Sequence, residues 1–100
     1  MVTSLIVKRI NSIKSVYNIV MRVKILFFAE AKRAVGLEET EIDFDGANIS
    51  DLKEFLKDQF PSINNVLEGS AFAVNKEYAR LQKTLKDGDT VAIIPPVEGG

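Results

Sequence analysis

Hydrophobic and polar residues alternate in several short stretches of this chain, a pattern typical of strands with one buried face. Arg22–Phe28 is the first such stretch. Its alternate positions should face the core, and these are Val23, Ile25 and Phe27. Leu26 and Phe28 then lie on the outer face of the predicted sheet, where exposed apolar side chains often form contact sites.

Further strands are predicted where alternation or β-branched residues recur between turn signals. These stretches are Glu38–Phe44, Ala71–Asn75, Tyr78–Gln82 and Thr90–Ile94. In the last strand Val91 and Ile93 should face a helix, which leaves Ala92 and Ile94 on the outer face. If the first and last strands are neighbours, their outer residues share one surface.

Two segments have the spacing and composition of helices. Ala29–Val35 contains good helix formers and is followed by Gly36 in the position of a C-terminal cap. Ser50 is the predicted N-cap of a second helix, which Pro61 ends. The next residues, 62–69, are predicted to form a loop or a brief turn.

The order of these elements predicts an α+β fold of the ubiquitin-like β-grasp kind. We expect a mixed sheet of about five strands with one main helix packed on one face. The first and last strands would lie side by side and parallel, since the helix lies in the long connection between them. We therefore expect a domain over residues 21–100, with a protruding tail over residues 95–100.

Residues 1–20 form an N-terminal extension whose role the sequence leaves open. They are basic, contain no acidic residue and carry apolar side chains at helical spacing. Three interpretations remain: an appended segment without function, an amphipathic helix that packs on the domain or a partner, and a targeting segment.

The composition excludes several classes of function. The 100 residues contain no cysteine and no histidine, which removes thiolate nucleophiles, histidine bases and the usual zinc sites. Asp87-Gly88-Asp89 is predicted to be a turn, because no further calcium ligands follow at the required spacing. We expect no metal, no membrane span and no nucleic-acid surface, and an independent enzyme is disfavoured.

The C-terminal stretch is the remaining candidate for chemistry. Pro95 and Pro96 cannot donate to a sheet ladder, so the last strand should end at Ile94 and the chain should leave the domain extended. Gly99 and Gly100 have no side chain and could enter a narrow channel. A frayed chain end is the alternative interpretation of these glycines.

Four motifs resemble the small subunit of molybdopterin synthase, a ubiquitin-like sulfur carrier family. They are Leu26–Arg33 (LFFAEAKR), Ala73–Asn75 (AVN), Leu85–Ala92 (LKDGDTVA) and Pro95–Gly100 (PPVEGG). The resemblance covers residues 21–100 and leaves the first twenty residues unmatched. It implies a cytoplasmic, non-catalytic carrier that donates sulfur during molybdenum cofactor biosynthesis.

The resemblance also implies roles for individual residues. A ubiquitin-activating-like adenylyltransferase would use ATP to adenylate Gly100, which then becomes a thiocarboxylate, while Gly99 gives clearance. The carrier itself would bind no cofactor, and its thiocarboxylate would enter the large synthase subunit and sulfurate cyclic pyranopterin monophosphate. The implied partner-binding residues are Phe28, Tyr78, Ile94, Pro95, Pro96, Val97 and Glu98.

Other interpretations remain open at this stage. The activated Gly-Gly end is equally suited to a ubiquitin-like modifier of target lysines, or to a sulfur carrier for tRNA thiolation or thiamine synthesis. A purely structural β-grasp module is a further alternative. Core packing is the competing interpretation of Phe28, Tyr78 and Ile94.

Overall fold

The computed structural model describes residues 20–96, which form strands and helices in the predicted order. The elements are β1 (Met21–Phe27), α1 (Ala29–Val35), β2 (Glu39–Phe44), α2 (Ile49–Gln59), a 3-10 turn (Pro61–Ile63), α3 (Asn64–Gly69), β3 (Ala71–Val74), β4 (Glu77–Ala79) and β5 (Thr90–Ile94). The predicted N-terminal extension, except for Val20, lies outside the described residues. None of the helices within residues 20–96 has the length and apolar character needed to cross a membrane.

The five strands form one mixed sheet in the order β2-β1-β5-β3-β4. β1 and β5 are parallel neighbours, whereas the β1–β2, β3–β5 and β3–β4 pairs are antiparallel. This topology confirms the predicted β-grasp arrangement, including the first and last strands at the centre. Because these two strands are parallel, the end of β5 lies beside the end of β1 and the start of α1.

The core lies between one face of the sheet and the helices. The prediction of which side chains of β1 and β5 face the core is confirmed. The buried side chains are those of Val23, Ile25, Phe27, Val91 and Ile93. Leu52 and Leu56 of α2 and Leu67 of α3 are fully buried against them. The helices of residues 20–96 therefore cover one face of the sheet, and no other element of this part of the chain covers the opposite face.

The N-cap predicted at Ser50 is wrong, since the cap of α2 lies two residues earlier, at Asn48. Asn48 is the cap: its side chain accepts a hydrogen bond from the Asp51 backbone amide at 2.9 Å. The Asp51 carboxylate accepts in return from the backbone of Asn48 at 3.4 Å and of Ala47 at 2.8 Å. Ile49 is fully buried in the first turn, so burial of this side chain fixes the start of the helix before Ser50.

The loop predicted for residues 62–69 is also wrong, because the chain forms a 3-10 turn and then α3. Ile63 and Leu67 are fully buried and hold this stretch on the core. The strand predicted for Tyr78–Gln82 is shorter than expected, since β4 ends at Ala79 and a turn follows. Gly36, by contrast, caps α1 in the left-handed conformation as predicted, with φ of 83°.

Candidate docking face and the root of the C-terminal tail

The open face of the sheet carries a row of apolar side chains across four strands. Leu26 of β1 pairs with Ala92 of β5, Ala92 pairs with Ala73 of β3, and Ala73 pairs with Tyr78 of β4. The two central alanines are small, whereas Leu26 and Tyr78 rise on either side. The register of the sheet therefore produces a groove with an alanine floor.

Phe28 and Ile94 complete this groove at the end where β1 and β5 finish. Phe28 is 49% exposed and Tyr78 is 76% exposed, while Ile94 is half-buried. The open groove has a volume of about 580 Å³, and its lining residues are Leu26, Phe28, Ala73, Asn75, Lys76, Tyr78, Thr90, Ala92 and Ile94. The three side chains predicted to face a partner thus lie in one apolar depression.

The opposite end of the groove is fixed by a turn between β3 and β4. Asn75 and Lys76 have positive φ angles of 51° and 76°, as expected for a two-residue hairpin turn. The Asn75 side-chain amide donates to Asp89 at 2.9 Å, and its carbonyl accepts from the Thr90 backbone at 3.0 Å. Asp89 also accepts from the Lys86 backbone at 2.7 Å, so the hairpin is tied to the start of β5.

The β2 side of this face is polar and its charges are paired. Arg22 donates to Asp43 at 2.8 Å and to Glu41 at 3.1 Å, and Lys24 lies 3.8 Å from Glu39. The hydrogen bond to Asp43, followed by the one to Glu41, raises the pKa of Arg22 above its ordinary value. This flank therefore limits the apolar surface on one side.

The β4 side has a different electrostatic character. A second open groove of about 510 Å³ lies along β4 and the loop that follows it. Its lining includes the exposed cations Arg80, Lys83 and Lys86. The apolar groove consequently lies between an ion-paired flank and a flank whose lining carries these three cations beside the carboxylates of Glu77 and Asp89.

The C-terminal tail begins at the edge of this face. β5 ends at Ile94, as the two prolines predicted. Pro95 is buried and Pro96 is exposed, and the Pro96 ring lies against Gly69 at the end of α3. An adjoining cleft of about 230 Å³ is lined by Glu30, Asn65, Val66, Gly69, Pro95 and Pro96.

The remaining predicted site residues, Val97, Glu98, Gly99 and Gly100, lie outside the described residues. Their roles, and the partner-binding roles of the residues in the groove, stay predictions.

The sequence analysis did not identify Ala73 as part of the groove floor. Its signal was available, because strand alternation that turns Phe72 and Val74 inward turns Ala73 outward. No local sequence pattern indicates the contact between Gly69 and the tail.

Within residues 20–96, no group of three or more acidic side chains is placed to hold a metal ion. The features that these residues do supply are suited to recognition: an apolar groove, two charged flanks and a fixed exit for the tail. A groove of this kind suits an apolar side chain of a partner protein, because exposed apolar patches on a small domain usually mark interaction sites.

A five-stranded mixed sheet in this order, with its helices on one face, defines the ubiquitin-like β-grasp class. A model of the ThiS family matches residues 25–100, and the chain belongs to this family. The molybdopterin synthase sulfur carrier subunit of Chlamydomonas reinhardtii is 41% identical over 83 residues, which cover 80% of this chain and 100% of the relative. The resemblance drawn from the four sequence motifs is thereby confirmed.

Solved structures show the same fold. Small archaeal modifier protein 1 from Methanosarcina acetivorans has a TM-score of 0.70 at 26% identity, covering 81% of this chain and 98% of that one. A complex of subunits 1 and 2 of the molybdopterin-converting factor from Helicobacter pylori contains a chain with a TM-score of 0.61 at 28% identity. That match covers 80% of this chain and 100% of the Helicobacter chain.

Proposed function

We propose that this protein is the sulfur carrier subunit of a molybdopterin synthase, acting in the cytoplasm. The observation that carries the proposal is the position of β5. This strand supplies Ala92 and Ile94 to the apolar groove and then leads, through Pro95 and Pro96, into the Gly-Gly end. A docking face and a terminal carboxylate are thus joined by a few residues. The 41% identical relative carries the name of a molybdopterin synthase sulfur carrier subunit.

The chemistry is assigned to the carboxylate of Gly100. A C-terminal carboxylate has a pKa of roughly 3.5, so at neutral pH it is an anion and a poor acyl donor. An adenylyltransferase partner would join it to the AMP part of ATP and release pyrophosphate. Sulfur supplied in the oxidation state of hydrosulfide would then attack the acyl carbon and displace AMP, which leaves a thiocarboxylate. ATP binds to that partner in this scheme, and the carrier holds no cofactor.

Sulfur delivery would take place in the large synthase subunit. The thiocarboxylate sulfur would form a bond to a side-chain carbon of cyclic pyranopterin monophosphate, whose oxygen substituent leaves. Water would then cleave the acyl–sulfur bond, returning Gly100 as a carboxylate and leaving sulfur on the pterin. Two carriers acting in turn would supply the two sulfur atoms of the dithiolene.

The proposed partner surface is the groove that contains Phe28, Tyr78 and Ile94. The solved complex of subunits 1 and 2 from Helicobacter pylori supports a large-subunit partner for this fold. Docking through the sheet face would leave α1, α2 and α3 on the far side. The tail root at Pro95 and Pro96 lies at the groove end formed by Ile94, so a partner that covers the groove would also receive the tail.

A reconstituted reaction tests this proposal. The thiocarboxylated carrier, the large subunit and cyclic pyranopterin monophosphate should together yield dithiolene product in proportion to carrier supplied. A variant lacking Gly99 and Gly100 should bind the large subunit through the groove and yield no product. Full product from that variant would refute a carrier role for the terminus.

A second candidate function is modification of target proteins, and the likeness to small archaeal modifier protein 1 favours it. The same acyl-adenylate would then be captured by a lysine amine instead of by sulfur. Isopeptide-linked species that contain this chain, identified by mass spectrometry from its native cell, would support this function. Their absence, together with a terminal thiocarboxylate, would support sulfur carriage.

A further inference from the structure

Gly69 ends α3 at the point where the Pro96 ring lies. A Cβ atom placed on Gly69 would be 3.6 Å from Cγ and 3.8 Å from Cδ of Pro96, which are ordinary contact distances. A methyl group therefore fits this space. A side chain with further atoms on the same side would meet the ring and displace it, and the exposed ring can move toward solvent.

The end of α3 is firmly held on the domain. Leu67 is fully buried in the core, and Glu68 pairs with Lys57 of α2 at 2.9 Å. The Ser70 hydroxyl donates to the Val66 carbonyl at 2.7 Å, which closes the last turn of the helix. The surface that meets Pro96 is thus fixed relative to the sheet and to the groove.

The location of the α3 end can constrain the tail through Pro96. Its ring restricts φ to about −65°, and it has no amide hydrogen with which a backbone hydrogen bond could hold it. Packing against Gly69, in a cleft that Glu30, Asn65 and Val66 also line, therefore limits where the ring can lie. The chain from Pro96 to Gly100 can reach at most about 14 Å when extended. A displacement at Pro96 therefore changes the region that the terminal carboxylate can reach.

We propose that the end of α3 is a seat for the C-terminal tail, with Gly69 and Pro96 as positioning residues for the Gly100 carboxylate. This inference rests on the proposed function, in which Gly100 must enter the active sites of two partners. Reacting groups that are misplaced by about 1 Å can lose about 100-fold in rate. Gly69 thus acts on the reaction through Pro96 and touches no reacting atom.

The test compares substitutions of different size at Gly69. Gly69→Val adds two carbons beyond Cβ, and a β-branched side chain cannot turn both away from the ring. Thiocarboxylate formation with the adenylyltransferase, ATP and sulfide should slow by about 10-fold or more, in line with this sensitivity to position. Gly69→Ala, the conservative variant, should keep most of the rate. Asp58→Val, at an exposed position of α2, controls for a β-branched residue in a helix.

A double-mutant cycle with Pro96→Ala separates positioning from a general structural effect. Removing the ring removes the contact, so Gly69→Val should have little further effect on the rate in a Pro96→Ala background. An equal loss from Gly69→Val in both backgrounds would overturn the inference. The melting temperature of each variant should stay close to that of the unaltered protein. The affinity of the single Gly69 variants for the large subunit through the groove should also be unchanged.

The outcomes also distinguish this inference from the proposed function. If the unaltered protein gains no sulfur, the carrier function itself fails. If the unaltered protein gains sulfur and Gly69→Val reacts as fast as Gly69→Ala, the carrier function stands and the seat is refuted. Should Gly69→Val fold poorly, Pro96→Ala alone still tests the seat. An unchanged rate for Pro96→Ala would then overturn the inference.

Discussion

Leu26 lies opposite Ala92 in the parallel pairing of β1 and β5. This pairing joins the first and last strands of the described chain at the centre of the sheet. It places the side chain that begins the LFFA motif beside the strand that leads into the C-terminal tail. The docking groove and the exit of the tail are therefore consequences of one strand pairing.

Phe28→Ala tests the docking groove. Because Phe28 is 49% exposed, its removal should cost little stability. We expect affinity for the large subunit to fall by about 10-fold or more, as is usual for an aromatic residue central to an interface. Ile94→Ala should act similarly on affinity, with a somewhat larger loss of stability because Ile94 is half-buried. Titration calorimetry and thermal denaturation provide the two measurements.

The matched control for Phe28 is its neighbour in the sequence, Phe27. This side chain is buried and packs edge-on against Phe60 with ring centroids 5.7 Å apart. Phe27→Ala should destabilise the domain by about 3–5 kcal/mol. If Phe28→Ala lowered the melting temperature as much as Phe27→Ala does, Phe28 would belong to the core and the docking interpretation would be wrong.

Asn48→Ala tests the observed helix cap. The substitution removes the hydrogen bond that the Asp51 amide donates at 2.9 Å, so we expect a loss of about 1 kcal/mol in the free energy of unfolding. Ser50→Ala should stay within about 0.5 kcal/mol, because Ser50 is an exposed residue inside the helix. Urea denaturation measures both. A larger effect from Ser50→Ala would restore the cap that the sequence suggested.

The ion pair between Lys57 and Glu68 should make stability depend on pH at both extremes. The hydrogen bond from Lys57 lowers the pKa of Glu68 below its ordinary value of 4.5, so the unfolded chain binds this proton more readily. The contribution of Glu68 is therefore fully present above pH 4.5 and is lost as the pH falls from there through the lowered pKa of the folded protein. The same bond raises the pKa of Lys57 above 10.5, so its contribution is lost only at higher pH.

Glu68→Gln isolates this contribution. The variant should show a shallower loss of stability on acidification than the unaltered protein, and both should converge in high salt, which screens an exposed pair. Denaturation at a series of pH values provides the measurement. Parallel acid profiles for the two proteins would show that the pair does not contribute to stability.

The sheet was predictable because its strands alternate and its turns carry recognisable residues. Val23, Ile25 and Phe27 identified the inward face of β1, and the same alternation turned Phe28 outward. In β5, Val91 and Ile93 identified the inward face, so the alternation placed Ala92 and Ile94 on the outer face. Because the two strands are neighbours, these outward positions combine into one groove. Local pattern and topology together were sufficient for this part of the candidate site.

The helix boundaries and the tail seat were harder to predict. Residues 62–69 contain several residues of low helix propensity, and α3 exists because Ile63 and Leu67 are buried against the core. The spacing of Asn48 and Asp51 is that of a capping box, but Ser50 was predicted as the cap because serine is a common N-cap residue. The contact between Gly69 and Pro96 joins residues that are far apart in sequence, and no local pattern reports such a pair.

The intact mass of the protein after incubation with its adenylyltransferase, ATP and sulfide tests the central claim most directly. We predict a gain that corresponds to the exchange of one oxygen for one sulfur, localised to Gly100 by fragmentation. The gain should be absent when ATP is omitted or when Gly99 and Gly100 are deleted. An unchanged mass in the complete reaction, with an adenylyltransferase shown to be active on another carrier, would contradict the claim that this chain carries sulfur.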